Sequence, residues 1–122
     1  MEITKPTIHF IMKNSKNEVM LSDKEEHVIL NYEKLRKAVL VLRAVNHKLR
    51  QQIIDLLHIN SQMTVTDIYI KLRLEQSVAS QHLAILRRAG IVITERDGKY
   101  IYYALDENRL SQVNGLIEEL AA

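Results

Sequence analysis

Two short stretches of β-forming residues flank an Asp-Gly pair, and this feature constrains the fold most. Residues 91–95 read IVITE and residues 99–105 read KYIYYAL. Asp97-Gly98 between such stretches is the strongest short-range signal for a β-hairpin. Gly90 stands just before the first stretch, at the position where a glycine typically ends a helix. The sequence therefore predicts a helix that is followed at once by a two-stranded hairpin.

The helix that precedes the hairpin has two chemically different sides. At about 100° per residue, Ala79, Leu83 and Leu86 form an apolar stripe. The opposite side carries mostly short hydrogen-bonding groups and ends in an arginine: Ser77, Ser80, Gln81, Ala84 and Arg88. A helix face that only meets water more often carries Glu and Lys. We therefore expect this polar side to bind a partner, although each residue taken alone is compatible with simple solvation.

Hydrophobic periodicity predicts four more helices. The first covers roughly residues 23–44, starts with a capping box at Ser22 and Glu25, and is followed by a second helix capped by Asn46 or His47. Thr64 then begins a short third helix. The last helix follows the hairpin and carries apolar residues at helical spacing: Leu110, Val113, Leu116, Ile117 and Leu120. Residues 1–21 predict only a short strand or an ordered arm followed by a loop.

The order of these elements predicts the fold. A winged helix-turn-helix consists of a short helix, a tight connection, a second helix and a two-stranded wing. The predicted elements follow this order, and the second helix is the one with a polar side. We expect a mainly α protein with a β-hairpin wing, in which residues 1–21 form a poorly defined arm and residues 22–122 form one DNA-binding and dimerisation domain.

In such a fold the second helix of the motif enters the major groove of double-stranded DNA with its N-terminal end first. We expect the polar groups at that end to contact bases: Gln76, Ser77, Ser80 and Gln81. Cations further along the helix and beside the hairpin turn are expected to contact phosphates: Arg87, Arg88, Arg96 and Lys99. The angle of His82 places it on the flank of the helix, which favours a hydrogen-bonded structural role.

The two terminal helices carry more apolar surface than one small core needs to cover. We therefore expect them to pair with their copies in a homodimer through Val28, Tyr32, Leu35, Leu110, Val113, Leu116, Ile117 and Leu120. A two-fold dimer predicts an inverted-repeat operator. The alternative is that these helices only close the core of a monomer.

Composition excludes several other classes of protein. The chain has no cysteine, which rules out disulfides and thiolate metal sites and is typical of a cytoplasmic protein. No apolar run reaches the ~20 residues of a membrane span. We find no phosphate loop, nucleophile elbow or acid–base pair, so we predict no catalytic residue, no cofactor and no enzyme activity. The net charge is only +2, yet residues 34–50 carry six basic and no acidic side chains, which predicts a positive surface.

Residues 63–105 resemble the ArsR/SmtB family of dimeric winged-helix repressors. The most specific matches are SQHL (80–83), LRRAG (86–90) and RDGK (96–99), and VNHKLRQQIIDLL (45–57) resembles the second helix of the family. The resemblance covers roughly residues 35–105. It implies a homodimer that binds an operator and is usually released by an inducer, which the sequence does not identify.

The chain departs from the family pattern at several positions. Metal sensors of the family commonly carry Cys-x-Cys in the third helix, where this chain has Thr66-Asp67-Ile68, or histidine in the last helix, which has none here. We therefore predict no metal site. Arg73 replaces a usual glycine and is expected to adopt a positive φ, and Glu75 replaces a better helix cap. Two alternatives remain: a winged-helix module that binds protein, and a metal-responsive regulator that uses His9 or His27.

Overall fold

The computed structural model describes the backbone of residues 10–15 and 18–21 and the whole of residues 28–122. The chain divides into two compact units, Met1–Val39 and Leu40–Ala122. This division falls 18 residues after the arm boundary that we predict at residue 21. The predicted capping box at Ser22 and Glu25 lies outside the described residues.

The first unit contains a hairpin and the start of a helix. Strands β1 (Phe10–Ser15) and β2 (Glu18–Leu21) pair antiparallel. Helix α1 (Tyr32–Val45) begins later than we predict, because residues 28–31 are not helical. Asn31 determines this start, since its side-chain oxygen accepts the N–H of Lys34 at 3.1 Å. The predicted helix over residues 23–44 is therefore too long at its N-terminal end.

The second unit contains the three helices of the predicted motif. Helix α2 (Lys48–Asn60) is capped by His47, which decides between the two predicted caps. Helix α3 (Val65–Leu72) begins as predicted with Thr64, whose hydroxyl accepts the N–H of Asp67 at 3.1 Å. Helix α4 (Gln76–Arg88) follows after a short turn. The helix-turn-helix is thus present where the sequence predicts it.

A three-stranded antiparallel sheet joins the motif to its wing. Strands β4 (Val92–Asp97) and β5 (Tyr100–Leu105) form the predicted hairpin, and β5 also pairs with β3 (Gln62–Thr64) in the order β3-β5-β4. The sequence analysis missed β3, because three residues are too few to show alternation. Helix α5 (Glu107–Ala121) follows, and the Asp106 carboxylate caps it by accepting the N–H of Arg109 at 3.1 Å.

The core of the second unit lies where these helices meet the sheet. All its elements contribute apolar side chains with little or no exposed surface, among them Ile53, Leu57, Ile68, Leu83, Leu86, Ile91, Val92 and Leu105. No polar or charged side chain is fully buried in the part of the chain that the structure describes. Because apolar burial is the main favourable term in folding, this cluster holds α3, α4 and the hairpin together.

Candidate nucleic-acid interface

The turn between α3 and α4 sets the angle of the helix-turn-helix. Arg73 ends α3 in the left-handed region, at φ 58° and ψ 48°. Its N–H donates to the carbonyl of Ile70 at 3.2 Å, and the N–H of Leu74 donates to the carbonyl of Tyr69 at 2.9 Å. This pair of bonds is the Schellman motif, in which glycine usually holds the left-handed position. The predicted positive φ at Arg73 is therefore confirmed.

Helix α4 presents its two sides as the sequence predicts. Ala79, Leu83 and Leu86 have no exposed surface and anchor the helix in the core. The groups predicted to contact DNA from this helix are all exposed: Gln76, Ser77, Ser80, Gln81, Arg87 and Arg88. Glu75 is the N-cap that precedes the helix, and it makes no side-chain capping bond, as expected of a poor cap. The side chain of Glu75 thus accepts no hydrogen bond from the backbone N–H groups in the first turn of α4.

A second Schellman motif ends α4 and leads into the wing. Gly90 takes the left-handed position at φ 77°, and the N–H of Ile91 donates to the carbonyl of Leu86 at 2.9 Å. From α5, Nε of Arg109 donates to the carbonyl of Ala89 at 3.2 Å. The end of α4 is therefore fixed both by its own backbone and by a cation from the last helix.

The wing carries its charges on two different faces. Arg96 pairs with Ile101, and Glu95 and Asp97 pair with the neighbouring positions of β5. Because side chains alternate along a strand, Arg96 shares its face with the buried Val92, whereas Glu95 and Asp97 lie on the opposite face. The only basic side chain of β4 is therefore on the same face as Val92, but it lies near the tip of the hairpin and is exposed.

The turn of the wing is Gly98-Lys99, one residue later than the Asp-Gly pair suggests, since Asp97 and Tyr100 already form a pair of the ladder. Gly98 has a positive φ of 64° and Lys99 does not, which is the pattern of a type II′ turn. Nζ of Lys99 lies 5.4 Å from the centroid of the Tyr100 ring, within cation–π range. Lys99 is thus at the exposed tip of the hairpin.

The sequence analysis missed two arginines that hold α4. Arg50 and Arg109 contact residues 32 and 20 positions away along the chain, so no local pattern could reveal them. In the sequence, Arg50 is one of the six basic side chains of residues 34–50. In the structure it is partly buried. A terminal nitrogen of its guanidinium lies 3.3 Å from Nδ1 of His82, which is partly buried. The predicted hydrogen-bonded role of His82 is therefore confirmed.

The residues predicted for a dimer interface fall into two groups. Six are large apolar side chains that a single chain leaves 39–71% exposed: Val28, Tyr32, Leu35, Leu116, Ile117 and Leu120. The other two belong to the core of the second unit: Val113 is buried in this core, and the partly buried Leu110 packs against the core. An open groove of about 470 Å³ lies between α2 and α5, with Ile54 and Ile117 among its walls. Part of the predicted stripe on α5 thus serves the chain's own core.

The structure was also searched for metal-binding groups and membrane spans. Within the described residues, no three His, Asp or Glu side chains are grouped as a metal ion would require. His9 and His27, the ligands of the metal-responsive alternative, lie outside those residues. No helix in the described ranges has the length and apolar character to cross a membrane.

The fold and its exposed, polar-fronted helix define a winged helix-turn-helix protein. Residues 47–94 match the model of the arsR family of bacterial regulatory proteins. The transcriptional activator HlyU of Vibrio cholerae is 34% identical over 84 residues, which are 69% of this chain and 77% of that protein.

Two solved structures extend the comparison. The transcriptional repressor PagR of Bacillus anthracis has 31% identity and a TM-score of 0.58, covering 73% of this chain and 98% of that one. A homodimeric winged helix-turn-helix DNA-binding domain from Mycobacterium bovis has 26% identity and a TM-score of 0.62, covering 74% and 82%. The chain belongs to the arsR family and is a transcriptional regulator with a DNA-binding helix-turn-helix.

Proposed function

We propose that this regulator is a homodimeric repressor that binds an inverted-repeat operator in double-stranded DNA. The observation that carries the proposal is the orientation of α4, whose apolar side is fully buried while its polar side is exposed from Gln76 to Arg88. An exposed apolar front would instead favour a protein partner. A repressor role is supported by the name of PagR, whereas HlyU carries the name of an activator.

The exposed groups divide into base contacts and phosphate contacts. Gln76, Ser77, Ser80 and Gln81 lie in the N-terminal half of α4, the end that enters the major groove in this fold. A glutamine side chain can pair with adenine through two hydrogen bonds. Arg87, Arg88, Arg96 and Lys99 lie at the end of α4 and on the wing, where cations suit phosphates.

The exposed apolar residues of α1 and α5 support the homodimer. Tyr32 and Leu35 are 46% and 47% exposed, and Leu120 is 71% exposed. Large apolar groups grouped on exposed surfaces typically mark an interface. The relative from Mycobacterium bovis is described as homodimeric. A two-fold dimer would place two copies of α4 about one turn of DNA apart, or about 34–36 Å.

The proposal is tested by selecting bound sequences from a random duplex library and measuring their affinity by fluorescence anisotropy at two salt concentrations. We expect an inverted repeat and a steep salt dependence. Gln81→Ala should reduce discrimination at one position per half-site by about 1–3 kcal/mol. Arg88→Ala should weaken binding to all duplexes and reduce the salt slope by about 1.

Arg88→Lys is the matched control, because it keeps the positive charge at the same position. This variant should bind all duplexes nearly as the wild type does and keep the salt slope. The assigned face of α4 would be wrong if Gln81→Ala and Arg88→Ala both left binding unchanged. Equal affinity for every duplex would favour a protein-binding module instead. A reporter gene downstream of the selected site distinguishes repression from activation.

A further inference from the structure

The flank of α4 makes a contact that the proposed DNA interface does not use. His82 follows Gln81 in the sequence, and its Nδ1 lies 3.3 Å from a guanidinium nitrogen of Arg50. The same guanidinium donates to the carbonyl of Ala44 at 2.7 Å and to that of Arg43 at 3.3 Å. Arg50 therefore joins the last turn of α1 to the side of the recognition helix.

The chemistry of its partner fixes the protonation of His82. A guanidinium only donates hydrogen bonds, so Nδ1 of His82 must offer its lone pair to Arg50. Nδ1 of His47 likewise accepts the backbone N–H of Leu49 at 3.1 Å. The two imidazole rings lie side by side, with centroids 4.8 Å apart. The contact with Arg50 therefore requires a neutral His82 ring that carries its proton on Nε2.

A proton on Nδ1 of His82 breaks the arrangement. It removes the acceptor of Arg50 and places two positive charges together. Burial, followed by the charges of His47 and Arg50, lowers the pKa of His82 from its ordinary value of 6.5. Both of these groups come from the start of α2, and they are the ionisable groups that act on His82 within the described residues.

We propose that Arg50 and His82, beside the ring of His47, form a proton-sensitive cluster that holds α4 in its DNA-reading orientation only while the His82 imidazole is neutral. The proposal rests on the DNA-binding function proposed above. Arg50 and His82 are positioning residues, because they act on DNA through α4. We therefore expect acid to weaken the discrimination between DNA sequences.

The direction of the pH effect follows from the lowered pKa of His82. The unfolded chain takes up a proton near pH 6.5, before the folded chain does. The stabilising contribution of neutral His82 is therefore complete above that pH and is lost as the pH falls towards the folded pKa. The Arg50 contact weakens over the same range.

The test measures the ratio of affinities for the selected duplex and a scrambled duplex at pH 7.5 and pH 5.5. Taking a ratio removes the general gain in affinity that any newly charged histidine brings near phosphates. We expect the wild-type ratio to fall about tenfold in acid, which is the scale of one hydrogen bond to a charged group.

Variants separate the cluster from other titrating groups. His82→Asn keeps an acceptor oxygen near the place of Nδ1 and cannot titrate, so its ratio should be high and equal at both pH values. His82→Leu and Arg50→Met should give a low ratio at both. His58→Asn is the matched control, because His58 is an exposed histidine near the end of α2, and it should behave as the wild type does.

An NMR titration of the His82 ring reports the contact without DNA. We expect a pKa below 6.5 in the wild type and a rise towards that value in Arg50→Met. A wild-type fall in the ratio that persists in His82→Asn, or a His82 pKa that Arg50→Met does not move, would overturn the proposal. A wild-type protein that selects no duplex at pH 7.5 would overturn the proposed function, and the NMR titration would then still decide whether Arg50 and His82 are coupled.

Discussion

Replacing Arg73 by glycine should stabilise this protein, although it removes the side chain of a charged residue. Arg73 is exposed and holds a left-handed backbone conformation at φ 58°, which Cβ disfavours. The carbonyl acceptors of the turn belong to Tyr69 and Ile70 and are unaffected by the change. Glycine therefore relieves strain and leaves both hydrogen bonds in place.

The expected gain follows from two opposing terms. A left-handed conformation costs an ordinary L-residue roughly 1–2 kcal/mol. Glycine also gives the unfolded chain more conformational freedom, which lowers the free energy of unfolding by about 0.4–1 kcal/mol. The net increase in the free energy of unfolding is therefore about 0.5–1 kcal/mol, or a rise in Tm of roughly 2–4 °C for a chain of this size.

The measurement is thermal and urea unfolding by circular dichroism at one protein concentration, since a dimer makes Tm depend on concentration. Arg73→Ala is the matched control, because it removes the guanidinium and keeps Cβ, and it should leave Tm unchanged. Lys71→Gly, an exposed position within α3, should lower stability by about 1 kcal/mol. Equal Tm values for Arg73→Gly and Arg73→Ala would refute the reasoning.

Three further predictions concern other points of the structure. Glu75→Ser supplies the side-chain cap that α4 lacks and should raise the free energy of unfolding in urea by about 0.5–1 kcal/mol. Gly90→Ala should lower it by at least about 1–2 kcal/mol, since φ is 77° and the new Cβ would lie 3.3 Å from Nε of Arg109. Leu120→Glu should shift the sedimentation profile from dimer to monomer at micromolar concentration, and an unchanged profile would remove this residue from the interface.

Local sequence patterns predicted much of this fold, whereas the features that depend on contacts between distant residues could not be predicted. The two sides of α4, the cap at Thr64 and the hairpin each depend on residues within a few positions of one another, so the sequence alone indicates them. The start of α1 was wrong because apolar spacing continues back to Val28 through residues that are not helical. Apolar spacing reports burial, and it does not distinguish a helix from the segment that leads into it.

The candidate site shows the same limit. The exposed groups of α4 follow from periodicity, because a buried stripe determines the opposite side. The roles of Arg50 and Arg109 do not follow from periodicity. A cation that bonds a group distant in the sequence has no local pattern, and only the structure shows its partner. The order β3-β5-β4 likewise depends on a pairing between Gln62–Thr64 and the far strand of the wing.

The open surroundings of Gly98 have a consequence for how such a regulator can diversify. Apart from its two chain neighbours, no heavy atom of the described residues lies within 4 Å of a Cβ built at Gly98, so we expect the tip of the hairpin to tolerate changes in length. Two residues added to each strand would preserve the side-chain alternation, because the period of a strand is two. The reach of the wing and the chemistry of α4 are therefore separate variables, and selection can alter one while the other stays constant.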